Sequence, residues 1–249
     1  MKNRDLDKQL VELSLAEHLF FAQEYEKALD LNLRIGKRLY DLFDFDSALQ
    51  FAERAEICAE KTKNRDKLAS SLHQKGSVLQ SMFRFSEAFE SYNQSLEIEK
   101  EIGDKAGEAK ALHQIGMVYH KTDRFQEALE FYNQSLEIEK EIGDRVDEAA
   151  TLHQIGLVYQ ESNRFQEALR SCIKSLEIER EMGNKAGEAK TIYSIGEIYQ
   201  DTNRFQEALQ NYKQSLKIVR EIGDETGVNI NMMAIKALEE KMDKTQMTE

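Results

Sequence analysis

The stretch "LHQIG" occupies residues 112–116 and again 152–156, with "LHQKG" at 72–76 and "IYSIG" at 192–196. Their closing glycines belong to a column, Gly36, Gly76, Gly116, Gly156 and Gly196, spaced by forty with no insertion or deletion. Nine residues on stand Phe45, Phe85, Phe125, Phe165 and Phe205, and twelve on stand Ala48, Ala88, Ala128, Ala168 and Ala208. Three columns that hold phase five times mark an array of stacked repeats.

Around the third glycine, "AGEAKALHQIGMVYHK" (106–121) places Ala109, Leu112, Ile115, Gly116 and Tyr119 at helical spacing, with Lys110, Gln114 and Lys121 off that stripe. This predicts a first helix, A. "RFQEALEFYNQSLEIEKEI" then predicts a second, B, and Asp123 with Gln126, Asn163 with Gln166 and Asn203 with Gln206 form the capping-box pattern at its start. Gly103, Gly143, Gly183 and Gly223 follow helix B where a left-handed residue is wanted. Asp104, Asp144, Asn184 and Asp224 come next as caps of the following helix A. Gly116 and Ala128, almost without side chains, let A and B approach closely beside Phe125 and Tyr119.

The expected organisation is a single array over 1–249: a capping helix at 4–22, repeats at 24–63, 64–103, 104–143, 144–183 and 184–223, and a second capping helix at 226–242. Residues 4–22 lie in the helix B register without the Phe and Ala columns. Residues 226–242 lie in the helix A register with Lys236 in place of glycine. Val228, Met232, Ile235 and Leu238 are expected to cover the last repeat, leaving Ile230 and Met233 outward for a dimer contact through 226–242.

Composition agrees with an all-α protein. Among the 249 residues there is no Pro and no Trp, 32% are charged and 41% hydrophobic, too apolar for disorder. A net charge of -12 disfavours nucleic acid and anionic membranes as partners, since neither polyanion gains Coulomb energy from an acidic surface. The longest apolar run, Leu19 to Ala22, is far short of the roughly twenty residues of a membrane span, and the start of the chain carries no apolar signal core, so a cytoplasmic location is expected. Cys58 and Cys172 replace apolar or aromatic residues of the repeat register, which predicts buried thiols and not a disulfide or metal site.

No nucleophile elbow, phosphate loop, dinucleotide fingerprint, paired-Cys motif or Cys/His dyad occurs, so neither an enzyme nor a cofactor or metal is expected. His113 and His120 are seven residues apart, too far on one helix to share an ion easily.

The small-Gly-Tyr pattern of helix A, with Phe-x-x-Ala opening helix B, resembles the tetratricopeptide repeat in the forty-residue form of the Pins/LGN spindle adaptors, kinesin light chains and many bacterial proteins. It covers about 24–223. The resemblance implies a right-handed α-solenoid of antiparallel hairpins whose A helices line a concave groove. The groove stripe is then Arg34, Lys37 and Tyr40; His73, Gln74, Ser77 and Gln80; Lys110, His113, Gln114, Met117, His120 and Lys121; His153, Gln154, Leu157 and Gln160; and Lys190, Tyr193, Ser194, Glu197 and Gln200.

Gln74, Gln114 and Gln154 stand where similar adaptors carry Asn to hold a peptide backbone, and an amide can match the N–H and C=O of an extended chain. His73, His113 and His153 either contact the ligand or bridge adjacent A helices, and an ordinary imidazole would gain charge as pH falls past about 6.5. The expected function is a non-catalytic scaffold binding a peptide or helical segment of another protein. A module similar to bacterial peptide-pheromone receptors, acting on a separate effector, is a second reading, and self-association through the terminal helix a third.

Overall fold

The computed structural model describes residues 2–246, and side chains from 11 to 243. Among the described residues there are twelve helices and no strand: α1 (Lys2–Phe21), α2 (Tyr25–Asp41), α3 (Phe45–Thr62), α4 (Arg65–Ser81), α5 (Phe85–Ile102), α6 (Lys105–Lys121), α7 (Phe125–Ile142), α8 (Arg145–Glu161), α9 (Phe165–Met182), α10 (Lys185–Asp201), α11 (Phe205–Glu221) and α12 (Glu225–Gln246). The even-numbered helices α2 to α10 are the A helices, and the odd-numbered α3 to α11 the B helices. The chain forms two compact units, Met1–Phe131 and Tyr132–Glu249, each an all-α stack of antiparallel hairpins.

Helices end on a strict twenty-residue beat. Left-handed backbone occurs at Gln23, Phe43, Lys63, Phe83, Gly103, Asp123, Gly143, Asn163, Gly183, Asn203 and Gly223, each closing the helix before it. The glycines are at the B-to-A turns, as expected, and Asp104, Asp144, Asn184 and Asp224 then accept a bond from the backbone N–H three residues on, at 2.9–3.2 Å. Asn64 does the same for Lys67 at 3.0 Å.

The A-to-B turns differ from the capping-box expectation. Asp123, Asn163 and Asn203 have φ of 58°, 58° and 59°, so they terminate helix A and cap nothing. Asp and Asn serve equally as caps and as left-handed residues, which is why the pattern misleads. The caps of α9 and α11 are Arg164 and Arg204, neither making a side-chain cap bond. Each arginine, like Arg124 before α7, instead pairs with the Glu three residues on and lies over the Tyr of the preceding A helix: Arg124 on Tyr119 at 4.4 Å, Arg164 on Tyr159 at 4.5 Å and Arg204 on Tyr199 at 4.4 Å. The recurrent clamp fixes the turn by charge and ring contact.

Within hairpins, glycine makes room for a ring. A Cβ on Gly76 would lie 2.7 Å from Tyr92 Cε1, and one on Gly196 2.7 Å from Tyr212 Cε1, whereas Gly156 faces Cys172 Sγ. A buried serine pins each such pair: the hydroxyls of Ser95, Ser175 and Ser215 donate to the carbonyls of Ala69, Ala149 and Ala189 at 2.8–3.0 Å. In the second unit Ala168, Cys172, Leu176, Ala189, Ile192, Ile195, Ile198, Ile218 and Val219 form one continuous core. Cys58 and Cys172 are buried free thiols, their pKa pushed up to about 11 and about 12 by burial.

The last helix departs from expectation in one stripe. Leu238 is buried and Val228 and Ile235 half-buried, but Met232 is 49% exposed, and Asn231 is the buried neighbour, its amide donating to the Gly227 carbonyl at 2.9 Å. In the A register Met232 corresponds to Ile192, which is buried, and among the described residues no further helix packs over α12 to cover it.

Candidate functional site

In the first unit, successive A helices α2 and α4 enclose a cavity of about 460 Å³ lined by Leu33, Lys37, Tyr40, Asp41, Lys67, Ser70, His73, Gln74 and Ser77. It brings together five expected groove residues: Lys37, Tyr40, His73, Gln74 and Ser77. Spacings of three and four residues set them on one face of each helix. Tyr40 shares a hydrogen bond with Ser81 at 3.1 Å, which orients its ring, and Lys67 pairs with Asp30 at 3.3 Å. Lys37 is exposed and pairs with no carboxylate among the described residues.

Gln74 reaches sideways: its Nε2 donates to the Leu33 carbonyl at 3.1 Å, and this amide fills the space beside Gly36. It thus ties α4 to α2 within the cavity wall. His73 packs edge-on to Tyr92, centroids 5.4 Å apart.

Other expected residues are placed differently. Arg34 lies 3.5 Å from Glu12, Gln80 accepts from the Tyr92 hydroxyl at 3.2 Å, and Lys110 and Lys121 are exposed. His113, Gln114 and Met117 are half-buried on α6. His120 is buried, edge-on to Phe125 at 6.1 Å.

In the second unit a cavity of about 530 Å³ is lined by Leu157, Gln160, Glu161, Asn163, Phe165, Glu197 and Asp201. Leu157, Gln160 and Glu197 are expected members. Gln160 donates to Asp201 at 2.7 Å, and burial, followed by Asp201, raises the Glu197 pKa. Gln154 and Tyr193 are half-buried, Tyr193 against Tyr212 with centroids 5.1 Å apart, and Lys190 is exposed. Gln200 accepts from the Tyr212 hydroxyl at 3.2 Å. Ser194 and His153 are buried. His153 Nδ1 lies 3.3 Å from Thr191 Oγ1, so this histidine bridges adjacent A helices.

The expected titration of the histidines near 6.5 is corrected. Burial, with Lys110, His73 and Lys190 as secondary causes, lowers His73, His113 and His153 to about 4. All three are neutral at physiological pH.

Sequence reasoning missed Leu33, Asp41, Lys67 and Ser70 as lining residues. The signal was present, since 33, 37, 40 and 67, 70, 74, 77 are i, i+3/i+4 series, but the expected stripe began at Arg34 and at His73, and so omitted Leu33, Lys67 and Ser70 before it and Asp41 after it. No group of three or more His, Cys, Asp or Glu positioned to hold a metal ion occurs among the described residues.

A tetratricopeptide repeat model matches residues 67–141 and 147–221, more than half of the chain. The chain belongs to the tetratricopeptide repeat family. No curated protein matches the sequence. Among solved structures, this tetratricopeptide protein is similar to BtubC (BKLC) from P. vanneervenii, with TM-score 0.76 at 17% identity over 89% of this chain and 92% of that one. It is also similar to a putative kinesin light chain from Podosopora anserina with nearly identical TPR-like repeats, at TM-score 0.67, 17% identity, 78% of this chain and 96% of that one. A Rap protein complexed with competence and sporulation factor matches at TM-score 0.61 and 19% identity, over 96% of this chain and 73% of that one. At these identities the likeness concerns the fold. No helix among the described residues is long and apolar enough to cross a membrane.

Proposed function

We propose that this chain is a non-catalytic, cytoplasmic interaction module that holds a peptide or helical segment of another protein along its A helices. The observation that carries this reading is the cavity between α2 and α4. There an unpaired Lys37, the Tyr40 ring, His73 and Ser77 converge around the apolar Leu33, a mixed lining suited to a protein segment. The repeat boundaries stated above, with caps at 4–22 and 226–242, belong to the same reading.

The test is binding by a Lys37→Ala/Tyr40→Ala/Ser77→Ala variant matched to wild type by circular dichroism and melting. The partner is expected to lose at least about tenfold in affinity. Equal binding by a folded variant contradicts the groove reading.

A second reading is supported by Ile230, Met232 and Met233 of α12, which are 47%, 49% and 73% exposed: self-association through 226–242. Sedimentation of wild type against Met232→Lys/Met233→Lys decides it, a concentration-dependent dimer lost in the variant supporting the contact and a monomer throughout contradicting it.

A further inference from the structure

The left-handed residues of the A-to-B turns fall into two chemical kinds. In the second unit they are Asn163 and Asn203, and in the first unit's third turn Asp123, short polar side chains that tolerate positive φ. In the first two turns they are Phe43, at φ 60°, and Phe83, at φ 59°. A bulky aromatic there is strained, because its Cβ crowds the neighbouring carbonyl, and the glycine, asparagine or aspartate used elsewhere in this chain would relieve it.

Burial does not compensate for that strain. Phe43 is 80% exposed and Phe83 79%, the two most exposed large apolar side chains among the described residues, and Leu42, next to Phe43 in the chain, is 64% exposed. Each ring meets the Phe two residues on edge to face, with centroids 6.1 Å apart in both turns. On the same turn edge, the start of α5 and the end of α6 frame a cavity of about 280 Å³ lined by the apolar Phe85, Phe89, Val118 and Tyr119 together with Ser86, Glu90, Thr122 and Arg124. Leucine occupies the Phe89 position in the other four repeats, as Leu49, Leu129, Leu169 and Leu209, so this ring is particular to the second repeat.

The charge around this edge is mainly negative, with Lys121 at the end of α6 the exposed cation that no salt bridge holds among the described residues. Arg84 is held by Glu87 through two bonds of 2.7 and 2.6 Å, and Arg124 by Glu127 at 2.9 and 2.7 Å, so both cations are neutralised locally. Asp46 and Glu90 are exposed and form no salt bridge among the described residues, Asp46 acting on the already paired Arg84 only through space. Strain retained without burial, an apolar row and a cavity beside it, and unneutralised carboxylates at its rim together define a surface awaiting an apolar and cationic counterpart.

We infer that the A-to-B turn edge of the first unit, built on Phe43 and Phe83, is a second docking surface that takes an amphipathic protein segment with apolar anchors flanked by Lys or Arg. This surface is separate from the A-helix cavity, and binding to it does not require Lys37 or Tyr40.

Two fluorescein-labelled amphipathic peptides test it by anisotropy, one of Leu, Phe and Lys and its twin with Glu replacing Lys. Wild type, and a Lys37→Ala/Tyr40→Ala variant, bind the lysine peptide at least about tenfold more tightly than the glutamate twin. Phe43→Asn/Phe83→Asn melts at or above the wild-type temperature, since it installs the residue found at Asn163 and Asn203, and loses the lysine peptide by about tenfold or more. Asp46→Asn/Glu90→Gln, which leaves the turn backbone and the A-helix cavity alone, weakens it too and decides the matter should the Asn variant melt lower. Wild-type failure to bind the lysine peptide, equal binding of both peptides, or retained affinity in the charge variant overturns the inference. So does a wild-type dimer dispersed by Phe43→Asn/Phe83→Asn, which would make a second copy of the chain the occupant.

Discussion

The ring of Tyr212 occupies the space that a side chain on residue 196 would need: a Cβ built on Gly196 lies 2.7 Å from Tyr212 Cε1. Gly76 and Tyr92 repeat the relationship at the same distance. Glycine in a helix interior costs about 1 kcal/mol in propensity relative to alanine, and the forty-residue column retains it because the buried ring leaves no alternative.

Gly76→Ala and Gly196→Ala should therefore each destabilise by about 1–3 kcal/mol despite the gain in helix propensity. Gly36→Ala should be close to neutral. Its nearest obstacle is the Gln74 amide at 3.0 Å, the far end of a flexible side chain. Urea melts of the three variants check the order, and an equal loss at all three positions would contradict it.

The B-to-A turn of the first repeat carries Lys63 at φ 56°, where the later repeats carry Gly103, Gly143, Gly183 and Gly223. Lys63→Gly should stabilise by up to about 1 kcal/mol, and Gly183→Ala should destabilise by a similar amount. Chemical denaturation measures both, and the opposite signs would show that the side chain and not the backbone sets the preference.

The pH dependence of stability should carry the mark of Glu99. It is buried at the end of α5, and burial, with Asp104 and Asp66 adding to it, raises its pKa to about 7. A carboxyl whose folded pKa exceeds its unfolded value of about 4.3 contributes stability in full below that value, and the contribution is lost as pH rises through about 7. Glu99→Gln should gain on wild type between pH 5 and pH 8. A difference that does not change with pH would sink the assignment.

The histidines run the other way. With folded values lowered to about 4, His73, His113 and His153 contribute stability that is present above the unfolded value of about 6.5 and lost as pH falls through about 4. Their ring resonances should stay at neutral shifts from pH 8 to pH 5, followed by NMR. A midpoint near 6.5 for any of the three would restore the sequence-based expectation of a switch there.

Much of the fold was legible because its signals were periodic and each had one chemical meaning. Gly103 followed by Asp104 reads unambiguously as a left-handed end and a new cap. Asp123 had two meanings, and only the backbone angle distinguishes a cap from a left-handed terminus. Met232 was assigned to the covered stripe from its helical spacing with Val228, Ile235 and Leu238, but spacing alone does not say how wide a face the neighbouring helix covers.

The groove was legible as a stripe and not as a site. Gln74 and His153 occupy expected positions but bond to neighbouring A helices, because an amide or imidazole on that stripe is within reach of the adjacent repeat as well as of a ligand. Phe43 and Phe83 were invisible to pattern reading, since an exposed aromatic in a turn breaks no hydrophobic periodicity. Their left-handed angles and exposure single them out.

The most direct test of the groove reading is site-specific photo-crosslinking in source cells, with the photoreactive residue placed at Ser70, inside the α2–α4 cavity, or at Glu137, on the exposed side of α7. A discrete protein adduct from Ser70 that is absent from Glu137 is the expected result. Adducts of the same proteins from both positions, or from Glu137 alone, would contradict binding along the A helices.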